Sequence, residues 1–251
     1  MARAHKSPVR LWAAALWLIV WQGAAMLVGQ DFLLASPLTA LFRFFELART
    51  AQFWSAALFS LARILSGFAL GLCAAALSAA LSARSRRFRE LMAPLALVLR
   101  AIPVASFVVV ALIWVPSRNL SVLIAFLIVY PVLYGAILDE IGRADPRMLE
   151  MARLLRMPRG RRLLYVYILP ALNHLEASCA TAMGLAWKSG VAAELISIPS
   201  GSIGERLYQA KVYLMTGDLF AWTLLIVLLS ALCARLFAAL MRRARILLEG
   251  A

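Results

Sequence analysis

The chain has 251 residues, 64% of them hydrophobic, with a mean hydropathy of +0.86. That excludes a soluble domain of this length and indicates a protein that crosses a membrane several times. A net charge of +14 would suggest nucleic acid on a soluble protein. Here the basic residues cluster in short segments between apolar runs, which is the pattern of positive-inside topology, so membrane lipid and not nucleic acid is the expected neighbour. Cys73, Cys179 and Cys233 lie inside apolar runs and His5 and His174 are isolated, so no disulfide framework and no metal-ligand spacing is present in the sequence.

Arg3, Lys6 and Arg10 precede the first apolar run, Leu11 to Val28. A signal peptide begins similarly, but the run is long for one and no clear cleavage site follows, so it reads as a retained first span with its N-terminus in the cytoplasm. Ser36-Pro37 then opens an amphipathic helix with Leu38, Leu41, Phe44, Phe45 and Ala48 on its apolar side, suited to an outer loop at the membrane interface. The second span covers about 55–81. It contains Arg63 and the small-residue pair Gly67-x-x-x-Gly71, which is open to two readings: tight packing inside one bundle, or a seam between two copies. Arg84, Arg86, Arg87 and Arg89 follow and mark a cytoplasmic loop. The third span, about 91–115, is broken near its middle by Arg100 and Pro103, and a charge at that depth is expected to face a cavity or a partner. A short outer turn at 116–119 leads to a fourth span, about 120–138.

Residues 139–170 form the one long polar segment. Asp145-Pro146 reads as a helix start, and Met148, Leu149, Ala152, Leu155 and Met157 give an apolar stripe at helical spacing. Pro158 and Gly160 interrupt it, and a second short helix is expected from near Arg161. A basic loop that merely fixes topology and a docking surface are both compatible with this pattern.

The fifth span, about 168–198, is polar for its depth, with Glu176, Ser178, Thr181, Lys188, Ser189 and Glu194. Lys188 and Glu194 are six apart, about 120° around a helix, so they are not a simple face-sharing pair, though that spacing can still line two walls of one path. Residues 199–218 form an outer loop with a helix from Ile203 to Leu214. The sixth span, about 219–240, ends in Arg242, Arg243 and Arg245. Six spans place both termini in the cytoplasm. About 17 of the Lys and Arg residues fall in the inferred inner segments and about five in the outer ones. The organisation that follows is an N-terminal span with its outer amphipathic segment at 1–54, a core transmembrane domain at 55–241 containing the loop 139–167, and a basic cytoplasmic tail at 242–251. Arg63, Arg100, Pro103, Lys188 and Glu194 are the candidate translocation-path residues. An ion relay through Lys188, Glu194 and Arg100 would suit a secondary transporter or channel, and stands as the alternative.

Glu150-Met151-Ala152 with Ile168-Leu169-Pro170 resembles the EAA loop of permease subunits of bacterial ABC importers. The match departs where Met151 replaces an Ala, where the Glu150-to-Pro170 distance is one residue longer than in the family, and where the Gly of the family has no counterpart: counting forward from Glu150 gives Arg156, and counting back from Pro170 gives Met157. Pro158 and Gly160 are expected to supply the missing break. The stretch from Ser60 to Phe68 resembles the start of the family's core domain, Ile102-Pro103 its mid-domain Pro, and the stretch from Gly184 to Glu194 its nitrate/sulfonate/taurine-type branch, which also includes permeases for thiamine-precursor pyrimidines. The resemblance covers about 36–240. It implies an all-α type I ABC importer permease fold of about six transmembrane helices in a bacterial inner membrane, working as a homodimer. Its partners would be an ABC ATPase subunit and an extracytoplasmic solute-binding protein. Glu150, Ala152, Arg153, Arg156, Met157, Pro158, Gly160 and Pro170 would form the coupling segment to the ATPase. No Walker A is present and no nucleophile–base pair occurs in an aqueous loop. The chain is therefore expected to carry no catalytic residues, no metal and no cofactor, with ATP and Mg held by the partner ATPase.

Overall fold

A computed structural model describes residues 11–30, 32–144 and 146–249, and every regular element among them is helical. The chain runs through α1 (Leu11–Val28), α2 (Pro37–Ala48), α3 (Ala51–Arg84), α4 (Arg86–Ala101), α5 (Val104–Ala111), α6 (Ser117–Gly142), α7 (Pro146–Leu154), α8 (Arg159–Arg162), a π-helical turn (Leu163–Ile168), α9 (Leu169–Ser197), α10 (Ile203–Val212) and α11 (Thr216–Glu249). Within the described residues α3, α6 and α11 are long and apolar enough to cross a membrane, and the bent pair α4–α5 adds a fourth candidate. The first ten residues and Asp145 lie outside the described residues, and with them the N-terminal basic cluster and the expected helix start at Asp145.

Capping fixes several helix starts. Ser36 accepts a hydrogen bond from the Thr39 amide at 3.1 Å ahead of Pro37, as its sequence position requires. Arg43 of α2 then reaches Asp218 in the first turn of α11 at 2.6 Å, laying the amphipathic helix against the bundle end.

The order of contacts along the helices gives their directions. Arg63, Gly67, Gly71 and Ser82 of α3 meet Asn119, Val122 with Ala125, Val129 and Tyr134 of α6 in the same sense, so α3 and α6 are parallel. Ser60 and Ile64 of α3 meet Glu194 and Gly190 of α9 in reverse order, so α9 is antiparallel to both. Phe53 and Phe68 of α3 meet Trp222 and Phe237 of α11, which is parallel to α3. Gly67 and Gly71 carry the closest approach. A Cβ on Gly67 would sit 2.7 Å from Ala125 Cβ, and one on Gly71 would sit 2.9 Å from Val129 Cβ. The small-residue pair therefore serves packing inside one chain, and that face is not available as a seam between copies.

Since α3 and α6 are parallel, the segment between them must carry the chain back across. It does so as two helices bent by 101°, not as one interrupted span. Tyr130 Oη reaches Met92 Sδ at 3.6 Å and Arg100 reaches the Pro131 carbonyl at 2.6 Å, so α4 lies across one turn of α6. Ile102, extended because Pro103 follows it, makes the bend. From there α5 runs along α6 to its start, where Val108 and Ala111 cluster with Leu120 and Ile124.

At the other end of α6 the chain passes through α7 and α8 into α9. Pro170 has no amide to give to the Val166 carbonyl, and the helix widens into the π turn immediately before it. The second short helix starts at Arg159, directly after Pro158 and two residues before the expected Arg161, and is continuous with α9 through that turn. The arginines Arg242, Arg243 and Arg245 are on the last turns of α11, so the basic tail continues the helix.

Candidate functional site

Among its described side chains α9 is largely covered by its neighbours; besides Pro170, Leu195 and Ile196 near its ends, the exposed residues form a narrow stripe. Ala177, Thr181 and Lys188 are exposed, with Gly184 and Ala192 half-buried between and beyond them. The spacing of four, three, four and four is one face of a helix. A Cβ on Gly184 would meet nothing within 4 Å. The open face of α11 is mostly apolar, with Val227, Leu228, Leu232, Leu236 and Leu240, and its one exposed charge there, Arg235, lies two turns before the basic end of the helix. A surface facing hydrocarbon is built of such residues, whereas a lysine at membrane depth faces a water-filled cavity or a partner. The α9 stripe is therefore the candidate wall of a polar path. Among the described residues Lys188 makes no ion pair.

The other candidate path residues fall elsewhere. Arg63 is half-buried on α3, donates to Asn119 Oδ1 at 3.2 Å and lies 4.3 Å over the Phe59 ring. Arg100 is exposed at the α4 terminus, but its Nη2 is tied to the Pro131 carbonyl, and it lies where a side chain on Gly135 would be. Pro103 forms the bend before α5. Glu194 is on α9 but has 0% exposure. Its Oε2 accepts from Ser60 Oγ at 2.6 Å and from the Gly204 amide at 3.3 Å, while Ser60 Oγ accepts from the Ile203 amide at 3.0 Å. Glu194 is thus enclosed by α3 and the first turn of α10. Lys188 and Glu194 do not share one cavity surface.

The start of α10 explains that enclosure. Ser202, buried, caps the Glu205 amide at 3.0 Å, and Glu205 reaches back to the Gly201 amide at 2.7 Å, a reciprocal cap encoded as Ser-x-x-Glu. The Ile203 and Gly204 amides, left free by the helix itself, turn to Ser60 and Glu194. Gly204 has to be glycine, because a Cβ there would collide with the Glu194 backbone. Ser60 and Gly204 escaped the sequence reading. The only signal was Ser60 as a polar residue within an apolar run, which names no partner.

At the opposite end of the bundle α7 places Ala152 inward, 3% exposed, and half-buries Leu149. Its other side is apolar and open: Met148, Met151, Leu154 and Leu155 are exposed, Leu154 by 85%. Glu150 is exposed beside them, and the Arg153 side chain lies outside what is described. The expected stripe was right for Met148 and Leu155, but it included the inward Ala152 and omitted Met151 and Leu154. The Met157 amide bonds the Ala152 carbonyl at 3.0 Å around Arg156, whose φ is +47°. This is the six-to-one closure of a helix end with a left-handed residue just past it, a place that favours glycine. The break is therefore made at Arg156, the position reached by counting forward from Glu150. Met157 is half-buried behind it, exposed Pro158 opens α8, and Gly160 sits inside α8, so the expectation that Gly160 breaks the chain is corrected. Pro170 is exposed in the first turn of α9.

Residues 67–246 match the family of binding-protein-dependent transport system inner membrane components. The chain is 29% identical over 231 residues to the riboflavin transport system permease protein RibX of Chloroflexus aurantiacus, covering 88% of this chain and 85% of that one. It is 26% identical over 210 residues to the putative aliphatic sulfonates transport permease protein SsuC of Bacillus subtilis, covering 82% and 75%. It is 24% identical over 207 residues to the nitrate import permease protein NrtB of Synechococcus elongatus, covering 78% and 73%. The match spans more than half the chain and includes the α3–α6 packing, the exposed α7 segment and the α9 stripe: the protein belongs to the family of binding-protein-dependent ABC permeases, membrane components that are not themselves enzymes and leave ATP hydrolysis to a separate subunit.

Proposed function

We propose that this chain is the path-forming subunit of an ATP-driven importer that takes up a small solute, works as a homodimer, and docks one ATPase on each copy through α7. The exposed apolar face of α7, set among arginines at one end of the bundle, carries this reading. Met148, Met151, Leu154 and Leu155 are 38–85% exposed, and an apolar patch with a polar rim marks a protein contact. Glu150 and Arg156 supply the polar rim, and Arg153 is a further candidate contact by its place in the sequence. Counting α1, α3, α4–α5, α6, α9 and α11 as crossings gives six spans with both termini on the α7 side, which the basic segments mark as cytoplasmic. The α10 side then faces outward and meets the solute-binding protein.

The α9 stripe of Ala177, Thr181, Gly184 and Lys188 lines the path, with its counterpart from the second copy opposite. Arg63 and Pro103 shape the path from behind, through the outer end of α6 and the α4–α5 bend. The solute is a nitrate-, sulfonate- or taurine-like anion or a thiamine-precursor-like pyrimidine, and the unpaired charge of Lys188 favours the anion. ATP binding at the partner moves α7 as a rigid contact and rocks the helices between inward- and outward-open arrangements. The ion-relay alternative loses its support, since Glu194 is enclosed and Arg100 is tied to α6.

The test is reconstitution with an ABC ATPase and a solute-binding protein of the same cell. ATP-dependent accumulation of the ligand that the binding protein retains is the expected result. Accumulation driven by an ion gradient without ATP would refute the reading.

A further inference from the structure

We infer that Glu194 is a positioning residue that ties the outer helix α10 to the α9 wall, so that the placement of α10 sets the placement of Lys188. The inference rests on the path reading above and extends it to the control of the wall.

Four elements meet at this carboxylate. Glu194 comes from α9, Ser60 from α3, and the Ile203 and Gly204 amides from the first turn of α10. Ser121 of α6 also faces the carboxyl, but without hydrogen-bond geometry. Ser60 donates to Glu194 and accepts from Ile203, so it joins α9 and α10 through one oxygen. Gly204 removes the side chain that would hold the two helices apart. The contact is therefore backbone on backbone, closed by hydrogen bonds within a fully buried site.

The arrangement is also incomplete. Glu194 Oε1 and Ser121 Oγ are both buried, and both lack a partner. Buried polar atoms are rarely left so, and these two face each other closely enough for Ser121 to act on the carboxyl. A small shift of α9 against α6 would join them. Packed helices move between discrete arrangements rather than continuously.

Transmission to the path needs no further device. Lys188 is six residues from Glu194 on one uninterrupted helix, about 9 Å along its axis. The far end of α10 presents Tyr208, Val212, Tyr213 and Leu214 to solvent. A force applied there acts on α10, on its first turn, on Glu194 and hence on the stripe.

The experiment places a single cysteine at Thr181 of the stripe, with Cys73, Cys179 and Cys233 replaced, in the full chain, in intact cells and in inside-out membrane vesicles. The rate of reaction with a membrane-impermeant maleimide reads how the wall is presented. Glu194→Ala and Ser60→Ala should each change that rate about tenfold, the size of an ordinary coupling between sites. Glu194→Gln keeps an acceptor for Ser60 and Gly204, and should react as the parent does. A control cysteine at Tyr213, outside the junction, should react equally in all variants. If the parent cysteine never reacts from either side of the membrane, the path reading itself fails. If it reacts at the same rate in the parent and in Ser60→Ala, the positioning role is refuted, whether or not Glu194→Ala inserts. If Glu194→Gln behaves as Glu194→Ala, charge and not hydrogen bonding holds the junction, and the inference as stated is overturned.

Discussion

Arg100 and Gly135 occupy complementary space: the guanidinium of one lies where the side chain of the other would be, and from there it reaches the Pro131 carbonyl at 2.6 Å. Pro131 and Gly135 are one helical turn apart, so the missing side chain opens the approach to that carbonyl. Gly135→Ala should therefore lower the melting temperature of the purified permease, and Arg100→Ala should lose the hydrogen bond, worth about 1.5–3 kcal/mol when a charged group donates. The double variant should melt well above the sum of the two losses, because the added methyl no longer meets a guanidinium. Strict additivity in the melting temperatures would mean that the two residues do not share this space.

A second expectation concerns Arg156, held at φ +47°. A non-glycine residue in the left-handed region carries a cost that glycine does not, so Arg156→Gly should stabilise the permease by about 1 kcal/mol. Arg156→Ala should give no such gain. Thermal melting of the purified chain separates the two. If Arg156 also contacts the ATPase, the Gly variant should at the same time hold that subunit less tightly, so that stability and docking move in opposite directions.

Gly67 and Gly71 give a third. A methyl at Gly67 would come within 2.7 Å of Ala125 Cβ, and Gly67→Ala should destabilise the folded chain by about 1–3 kcal/mol, the usual cost of overpacking. The loss should appear in the melting of the isolated permease at any protein concentration. A loss that grows on dilution would place the glycines between copies instead of inside one.

These cases show what could be read in advance. Hydrophobic runs and charge bias located the long helices, and Ser36-Pro37 located α2, because those features act within a few residues of themselves. The partner of Gly67 was not legible, since small-residue spacing says that a backbone comes close and not whose. The α4–α5 bend was legible as a break at Pro103 but not as a change of direction, which the parallel course of α3 and α6 imposes. Lys188 and Glu194 looked alike as charges in a span. The structure separates them because their neighbours differ: one faces an uncovered stripe, the other the first turn of α10. On α7 the apolar spacing was visible, but which apolar residues point inward depends on the bundle behind, and Met151 and Leu154 were missed for that reason.

The orientation of the bundle gives a fourth expectation. Single cysteines at Arg87 and Tyr213, in a background without the native three, should label from opposite sides of the membrane. Tyr213 is 70% exposed at the α10 end, whereas Ser202 nearby is buried and would report poorly. Labelling of both from one side would remove the six-crossing topology.

The central claim is that α7 receives the ATPase, and co-purification of that subunit tests it most directly. Leu154 is the most exposed apolar residue of the segment and Glu150 its exposed acid. A charge-assisted contact is worth about 1.5–3 kcal/mol, so losing Glu150 alone should weaken docking by about ten- to a hundredfold, and Glu150→Lys should do more because it adds repulsion. Leu154→Asp, which puts a charge into an apolar contact, should do at least as much. The account predicts that both variants insert in the membrane at normal levels and lose the ATPase on purification, while Arg87→Ala, in the neighbouring basic loop, retains it. Retention of the ATPase by both α7 variants, with its loss in Arg87→Ala, would contradict the account and move the motor contact to the loop between α3 and α4.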